Sequence, residues 1–204
     1  DNSNFLKPEL IGNIVNQDLH GDEAPDLLIV TNPLFIDAAK RLADFRTTND
    51  GLKVLVATTD DIYNEFSSGA QDLSAIRYFC KSLYDRGTSS KKLKYLLLMG
   101  SASYDYKNLI KPNTNFVPVY ESVNSVSSIS SFATDDYFGL LDNGEGGSSN
   151  DNIDIGIGRL PVKTAAEATA VVEKIIHYST NTPLVNGDWR NSICFVADDK
   201  EYNI

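Results

Sequence analysis

Short apolar runs alternate along the chain with longer segments in which apolar residues recur at helical spacing. The runs at 26–30, 53–57 and 95–99 are almost continuously apolar and are bounded by polar or glycine positions. Such runs are typical of strands buried on both faces of a sheet. The segments near 33–49 and 72–86 carry apolar residues three or four positions apart, which predicts helices. This alternation predicts a parallel sheet covered by helices.

Helix boundaries are marked by specific residues. Asn32 followed by Pro33 is typical of an N-cap and a first helical position. Thr164 and Glu167 form the sequence pattern of a capping box, which predicts a helix that runs to about Tyr178.

The regular alternation of apolar runs and helical segments ends at Pro112. Residues 137–141 and 153–157 are apolar and are separated by a turn rich in Gly, Asn and Ser, which predicts a β-hairpin. The predicted fold class is therefore α/β, with three α/β/α layers, a mainly parallel sheet and an added hairpin. Ligands of such sheets gather at the carboxyl ends of the strands.

The chain divides into three parts. Residues 1–24 are polar and aperiodic, which predicts an arm or linker, and residues 25–182 hold the predicted α/β unit. Residues 183–204 hold a connector and the apolar run 192–197, which predicts another buried strand. A buried strand needs neighbours that cover both of its faces, so we expect this strand to begin a second α/β unit.

The charge distribution excludes some partners. Asp and Glu total 28 against 18 Lys and Arg, a net charge of −10, which disfavours nucleic acids and anionic membranes. No basic residue lies between Lys111 and Arg159. That window holds seven acidic residues: Glu121, Asp135, Asp136, Asp142, Glu145, Asp151 and Asp154.

A cation site is one interpretation of this window. Hard cations such as Ca²⁺ prefer carboxylate, amide and carbonyl oxygens, and a Gly/Asn/Asp turn can wrap several of them around one centre. The candidate ligands are Asp142, Asn150, Asp151, Asn152 and Asp154. The spacing differs from that of a helix–loop–helix calcium motif, and a solvated acidic turn shows the same pattern.

The residues that could act as nucleophile or base are few. Cys80 and Cys194 lie in apolar runs, which is typical of buried free thiols. His20 lies in the polar arm and His177 lies late in a predicted helix, so we expect neither to be a catalytic base. The sequence contains no nucleophile elbow, phosphate-binding loop, zinc-protease motif or dinucleotide fingerprint, so we expect no organic cofactor.

The pair Asp198 and Asp199 follows the last apolar run. Carboxylates at that position of an α/β sheet either cap the next helix or project into the crevice where ligands bind.

Several segments together resemble the gingipain-type family of clan CD cysteine peptidases, with the greater likeness to the type IX secretion sortases (PorU-like). The likeness extends from about Pro25 to the end of the sequence. The segments that carry it are 95–100 (YLLLMG), 130–142 (SSFATDDYFGLLD), 154–161 (DIGIGRLP), 176–178 (IHY) and 189–199 (WRNSICFVADD).

The resemblance implies a caspase-like domain of two subdomains, whose Cys nucleophile and catalytic His lie on strands of the second. Both would lie downstream of Ile204, so we expect this chain alone to be inactive. Asp199, or Asp198 if the register shifts by one, matches the family's acid that orients the catalytic imidazole.

The resemblance also implies a structural calcium site. Asp154 and Asn150 match side-chain ligands of the arginine-specific gingipains, and Asp142 and Asn152 match carbonyl donors, with Asp151 beside them. Ser101 stands where the family has a further Asp ligand, so this chain has one carboxylate fewer.

The function implied is that of the N-terminal part of a cysteine endopeptidase or transpeptidase at the bacterial cell surface, associated with the outer membrane without inserting directly into it. Its expected partners are a polypeptide substrate and the remainder of the peptidase domain. One alternative is a non-catalytic structural or docking module of the same fold. Another is an unrelated flavodoxin-like domain with a bound cofactor. A downstream His-Gly motif and a later Cys would distinguish the peptidase from the docking module.

Overall fold

A computed structural model describes residues 7–10, 12–13, 16–123, 126–127, 129–147, 151–180 and 187–195. The strands are β1 Leu27–Thr31, β2 Val54–Thr58, β3 Tyr95–Met99, β4 Tyr120–Glu121, β5 Ala133–Thr134 and β6 Gly156–Leu160. The helices are α1 Ile36–Asp50, α2 Thr59–Phe66, α3 Leu73–Asp85 and α4 Ala165–Thr180. Short 3₁₀ helices occupy Leu19–Gly21, Pro33–Phe35, Asp136–Gly139 and Asp188–Asn191.

Four strands form one parallel sheet in the order β2-β1-β3-β6. Leu27 of β1 lies opposite Val54 on one side and Tyr95 on the other, and Tyr95 lies opposite Gly156. The prediction of a mainly parallel α/β fold is therefore confirmed.

Alternate residues of each strand supply the cores of two faces. On one face Leu28, Val30, Leu96 and Leu98 pack with α2 and α3. On the other face Leu27 and Ile29 pack with α1 and α4. Burial on both faces explains why these strands are continuously apolar in sequence and gives the predicted three layers.

The helices begin where the polar residues predict. The Asn32 side chain accepts a hydrogen bond from Leu34 N and starts the turn that leads into α1, which ends at Gly51 with a φ of 69°. The Thr164 hydroxyl accepts from Glu167 N at 3.1 Å, while the Glu167 carboxylate accepts from Lys163 N rather than from Thr164 N.

The hairpin predicted between 137–141 and 153–157 is wrong. Most of the first segment lies in the 3₁₀ helix Asp136–Gly139, and the second leads into β6, which pairs in parallel with β3. The antiparallel pair that accompanies the sheet is formed instead by β4 and β5. Local alternation of apolar residues does not specify the partner of a strand, and the partner of β6 is distant in sequence.

The buried strand predicted at 192–197 is not observed over 192–195, and its last two residues lie outside the described ranges. Ile193 and Phe195 are 80% and 88% exposed, and Cys194 is exposed rather than a core residue as predicted. No described segment lies over this run, so its side chains are not buried within the described part of the chain. The boundaries at residues 24 and 182 stay a prediction.

Candidate functional site

The candidate site is the acidic loop, residues 140–155, which joins the 3₁₀ helix Asp136–Gly139 to β6. Residues 148–150 of this loop lie outside the described ranges. Its two ends are fixed in the core, because Phe138, Leu141 and Ile155 are buried against the α2 and α3 face of the sheet. The polar side chains between these anchors are thereby held close together.

Two carboxylates close the loop by accepting backbone hydrogen bonds. Asp154 Oδ2 accepts from Leu141 N at 2.7 Å and from Asp142 N at 3.2 Å. Glu145 Oε2 accepts from Asp142 N at 3.0 Å, and Glu145 Oε1 accepts from Asn152 N at 3.4 Å. As a result, one oxygen from each of Asp142, Glu145 and Asp154 lies within 4.8 Å of the others.

The structure brings together part of the predicted ligand set. Asp142 and Asp154 belong to the carboxylate group, whereas Asp151 accepts from Gly146 N at 2.8 Å within the loop and Asn152 donates its backbone amide to Glu145. Asn150 lies outside the described residues. Glu145 also belongs to this carboxylate group. The sequence analysis counted it among the acidic residues of the window but did not name it as a candidate ligand.

Two cations on α3 hold the loop from beneath. The buried Arg77 guanidinium donates to Leu140 O at 2.9 Å and to Glu145 O at 2.7 Å, and its carbon lies 5.3 Å from the centre of the Tyr137 ring. Lys81 Nζ donates to Leu141 O at 2.7 Å. Both side chains bind backbone carbonyls of the loop, and Lys81 also pairs with Asp85 of its own helix, so neither is seen to pair with the three carboxylates.

The donor set fits a hard cation. Three carboxylates can supply up to about six oxygens, and Ca²⁺ takes about six to eight in flexible geometry. Burial, and after it the Asp154 and Asp142 carboxylates, raise the pKa of the Tyr84 hydroxyl beside the group. The tyrosine therefore stays a neutral hydrogen-bond partner of Asp154.

At the carboxyl ends of the strands, polar side chains are used to fix the backbone. Thr58 Oγ1 accepts from Asp61 N at 3.2 Å, and Asp61 Oδ2 accepts from Thr58 N at 3.4 Å, which completes a capping box for α2. Asn32 Nδ2 donates to Phe116 O at 3.3 Å. These side chains thus have structural partners at the edge where ligands of α/β sheets bind.

The loop after β3 is fixed in the same way. Ser101 is buried and its hydroxyl donates to Thr114 O at 2.6 Å. The Asp105 carboxylate accepts from Ile110 N at 2.7 Å and from Leu109 N at 3.0 Å, and these hydrogen bonds hold the pKa of Asp105 below its ordinary value. Ser101 and Asp105 therefore fold the loop back over the sheet edge.

Arg159 joins this loop to the region before the 3₁₀ helix Asp136–Gly139. Its guanidinium donates to the Asp135 carboxylate at 2.6 and 2.8 Å. It also donates to Gly100 O and Val117 O at 2.8 Å each and to Pro118 O at 3.0 Å. Arg159 lies in segment 154–161, which carries the resemblance, but the sequence analysis gave it no role. Its acceptors are distant in sequence, so no local pattern predicts these contacts.

The thiols and imidazoles occupy different environments. Cys80 is fully buried, and burial raises the pKa of its thiol to about 12, so it cannot serve as a thiolate nucleophile at neutral pH. His20, in the predicted arm, lies beside Glu65 of α2. His177 is exposed in the last turn of α4. Asp198 and Asp199 lie outside the described residues, so their role stays a prediction.

The fold and a family model together define the class of protein. The model described as Peptidase family C25 matches residues 20–204, so the chain belongs to this family, the gingipain family of cysteine peptidases. Among solved structures, the chain is similar to dimeric latent PorU from Porphyromonas gingivalis at 36% sequence identity and a TM-score of 0.77. That match covers 95% of this chain and 19% of PorU, so the chain spans about one-fifth of the length of PorU.

A second solved structure is the complex of RgpB pro- and mature domains from Porphyromonas gingivalis. It matches at 16% identity with a TM-score of 0.48 and covers 74% of this chain and 28% of that chain. A comparison with curated proteins gives no match. Within the described residues, no helix is both long and apolar enough to cross a membrane.

Proposed function

We propose that the chain is the N-terminal, non-nucleophilic subdomain of a cysteine endopeptidase or transpeptidase that acts on polypeptides, together with the first segment of its catalytic subdomain. The match of the C25 model over residues 20–204 carries this proposal. The full burial of Cys80 supports it, because that thiol cannot reach a substrate, while the resemblance places the nucleophile downstream of the segment that holds the exposed Cys194.

In the parent, a thiolate would attack a peptide carbonyl, backbone amides would stabilise the oxyanion, and an imidazole would protonate the leaving amine. This chain would contribute Asp199, or Asp198, as a positioning residue that holds the imidazole in its productive tautomer. The rigid carboxyl edge of the sheet would support the catalytic subdomain.

The test compares this chain with a longer chain that includes the downstream sequence, using a panel of fluorogenic peptides. We expect turnover only from the longer chain, and a loss of about 10²-fold or more in kcat for Asp199→Asn, because the imidazole loses its orienting charge. Asp198→Asn is the matched control and decides the register. Cysteine-dependent turnover by the 204 residues alone would contradict the proposal.

A non-catalytic docking module of the same fold is the second candidate. The use of Asn32, Thr58, Asp61, Ser101 and Asp105 in caps and loop contacts favours it, since the sheet edge is then built for rigidity. A downstream sequence without a His-Gly motif and a later Cys, and a longer chain without turnover, would decide for this candidate.

We also propose that the acidic loop holds a structural Ca²⁺. Asp142, Glu145 and Asp154 would supply carboxylate oxygens, with Asn150, Asp151 and Asn152 as the other predicted contributors. A bound cation would offset much of the negative charge of three neighbouring carboxylates and tie the two ends of the loop to each other.

Calcium binding is tested by thermal unfolding with Ca²⁺ and with a chelator. At a Ca²⁺ concentration about 100 times the Kd, binding stabilises by about 2.7 kcal/mol. For a domain of this size that raises the Tm by roughly 5–10 °C. Asp142→Asn should remove the shift, while Glu121→Gln, an acidic change elsewhere in the window, should keep it. An unchanged Tm in the unmodified chain would instead show a solvated acidic loop.

The proposed location is the bacterial cell surface, in association with the outer membrane, and it rests on the resemblance to surface enzymes. Brief protease treatment of intact cells should degrade the parent protein while a periplasmic marker survives. Survival of both proteins would place the parent inside the cell envelope.

A further inference from the structure

One carboxylate, that of Glu65 near the end of α2, receives most of the polar contacts of residues 17–22. Leu19 N donates to both of its oxygens, at 2.8 and 2.9 Å. His20 donates its backbone N–H at 3.2 Å, and His20 Nδ1 lies 2.7 Å from Glu65 Oε2. Gln17 Nε2 donates at 2.9 Å. A single side chain thus binds the main chain and two side chains of this segment.

Further contacts complete the same surface. Arg86, at the end of α3, donates to His20 O and to Leu19 O. The His20 ring stacks on Phe66 with centroids 4.4 Å apart, and the Leu19 side chain is buried in the core. Glu65 is only 13% exposed at its side chain, so the contacts form a partly desolvated site.

Residues 17–22 lie where the part of the chain that matches the family begins. The C25 model begins at residue 20, so Gln17 and Leu19 precede the matched region. The surface of α2 and α3 is therefore the place where the peptidase-family domain binds the chain that precedes it.

We propose that Glu65, Phe66 and Arg86 form a junction clasp, an intramolecular docking site for residues 17–22 that is held by the ionised Glu65 carboxylate and opens when it is protonated. The occupant is this segment of the chain itself. The clasp fixes the direction in which the preceding chain leaves the domain.

The chemistry of the carboxylate explains the reversibility. An ionised carboxylate only accepts hydrogen bonds, whereas a protonated one presents a donor to the N–H groups that surround it. Burial alone would raise the pKa of Glu65, but the hydrogen bonds from Leu19, Gln17 and His20 outweigh burial and hold the pKa below its ordinary value. The clasp is therefore fully formed above the unfolded-state pKa of Glu, about 4.3, and is lost as the pH falls through the lower folded pKa.

Other charged groups surround Glu65. The His20 ring lies at hydrogen-bond distance from Glu65, and Arg86 donates to the neighbouring His20 and Leu19 carbonyls. Asp18 and Asp22 of the segment and Asp61 one turn earlier in α2 bring negative charge. Leu19, Gln17 and His20 donate hydrogen bonds directly to Glu65, and so they outweigh the more distant carboxylates.

Amide hydrogen exchange on the 204-residue chain tests the clasp. We expect Glu65→Gln to reduce the protection of the Leu19 and His20 amides at least tenfold at pH 7, with the amides of β1 and β3 unchanged. Glu23→Gln is the matched control, because it removes the same charge beside the segment. Glu23 pairs with Lys53 and Lys91 and not with the segment itself. Equal protection of Leu19 and His20 in Glu65→Gln and the unmodified chain, or equal loss in both variants, would overturn the proposal.

An acid titration of the unmodified chain keeps the test decisive if Glu65→Gln does not fold. The protection factors of Leu19 and His20 should disappear at a higher pH than those of β1 and β3. Simultaneous loss at all these amides would show that the segment is an inseparable part of the fold, and would overturn a reversible clasp.

Discussion

Arg159 lies at the carboxyl end of β6 with its guanidinium between one carboxylate and three backbone carbonyls. The Arg159 side chain is 13% exposed, so little water could take its place as the donor to these acceptors. The planar guanidinium has five N–H donors in a fixed arrangement, which suits several acceptors that surround it in different directions.

Arg159→Lys should therefore be costly although it keeps the charge. Lysine offers three donors from a single point, and each buried acceptor left without a partner costs about 1–3 kcal/mol, so we expect a loss of roughly 2–4 kcal/mol. Urea unfolding measures it. The control Arg41→Lys changes an exposed pair with Glu173 and should cost under about 1 kcal/mol. Equal costs would contradict the role of Arg159.

From the sequence we could predict which residues belong to the candidate site better than which groups those residues contact. Asp142 and Asp154 stand out as acidic residues in a Gly- and Asn-rich turn, and the structure places both in one carboxylate group. Arg77 escaped this reasoning, because its contacts with Leu140 and Glu145 join a helix to a loop more than sixty positions away. No local pattern specifies such a contact.

At the scale of the element, α2 is a short helix whose start depends on side-chain capping. The Thr58 hydroxyl accepts from Asp61 N, and the Asp61 carboxylate in turn accepts from Thr58 N and from the Thr58 hydroxyl. A helix of eight residues has little stability of its own, so the cap and the packed face hold it in place.

Thr58→Ala should destabilise the protein by about 1–2 kcal/mol, because the first amides of α2 lose their acceptor. Chemical unfolding gives the free energy, and the far-UV spectrum should stay unchanged because the helix remains packed. Thr48→Ala, in the exposed part of α1, is the matched control and should stabilise slightly, by up to about 0.7 kcal/mol. A neutral Thr58→Ala would show that packing alone fixes the start of α2.

Elements whose signals are local were predicted well, and elements defined by a partner were not. The bounds of β3 and the start of α3 match the apolar patterns at 95–99 and 72–86, and the predicted cap Asn32 starts the 3₁₀ helix Pro33–Phe35 that leads into α1. The pairing of β6 with β3 depends on how distant segments pack, whereas the local pattern at 137–141 and 153–157 indicates a hairpin.

At the scale of the whole molecule, Asp26 ties together the amino ends of three strands. Its carboxylate accepts from Lys53 N at 2.9 Å and pairs with Lys94 Nζ at 2.7 Å, so it connects β1 with the starts of β2 and β3. The hydrogen bond from Lys94, followed by that from the Lys53 amide, holds the pKa of Asp26 below its ordinary value.

This depressed pKa makes stability depend on acid. The contribution of Asp26 is complete above the unfolded-state pKa of Asp, about 3.9, and is lost as the pH falls through the lower folded value. We expect the free energy of unfolding to fall between about pH 5 and pH 3, and to fall less in Asp26→Asn. Asp44→Asn, an exposed change in α1, should behave like the unmodified chain. Parallel curves for Asp26→Asn and the unmodified chain would contradict this origin.

The seven acidic residues between Lys111 and Arg159 show why net charge predicts so little of a site. Asp135 pairs with Arg159, Asp151 accepts a backbone amide, and Asp142, Glu145 and Asp154 form one group. These roles depend on which main-chain groups each carboxylate meets, and composition carries no such information.

The two cysteines give the chain an inherent site for chemical labelling. Cys80 is sealed in the core with a thiol pKa of about 12, whereas Cys194 is exposed between Ile193 and Phe195. A maleimide dye at neutral pH therefore attaches at one known position without any engineered cysteine. In a longer parent chain whose downstream cysteine is replaced by Ala, the emission colour of a polarity-sensitive dye there would report whether neighbouring protein covers this apolar run.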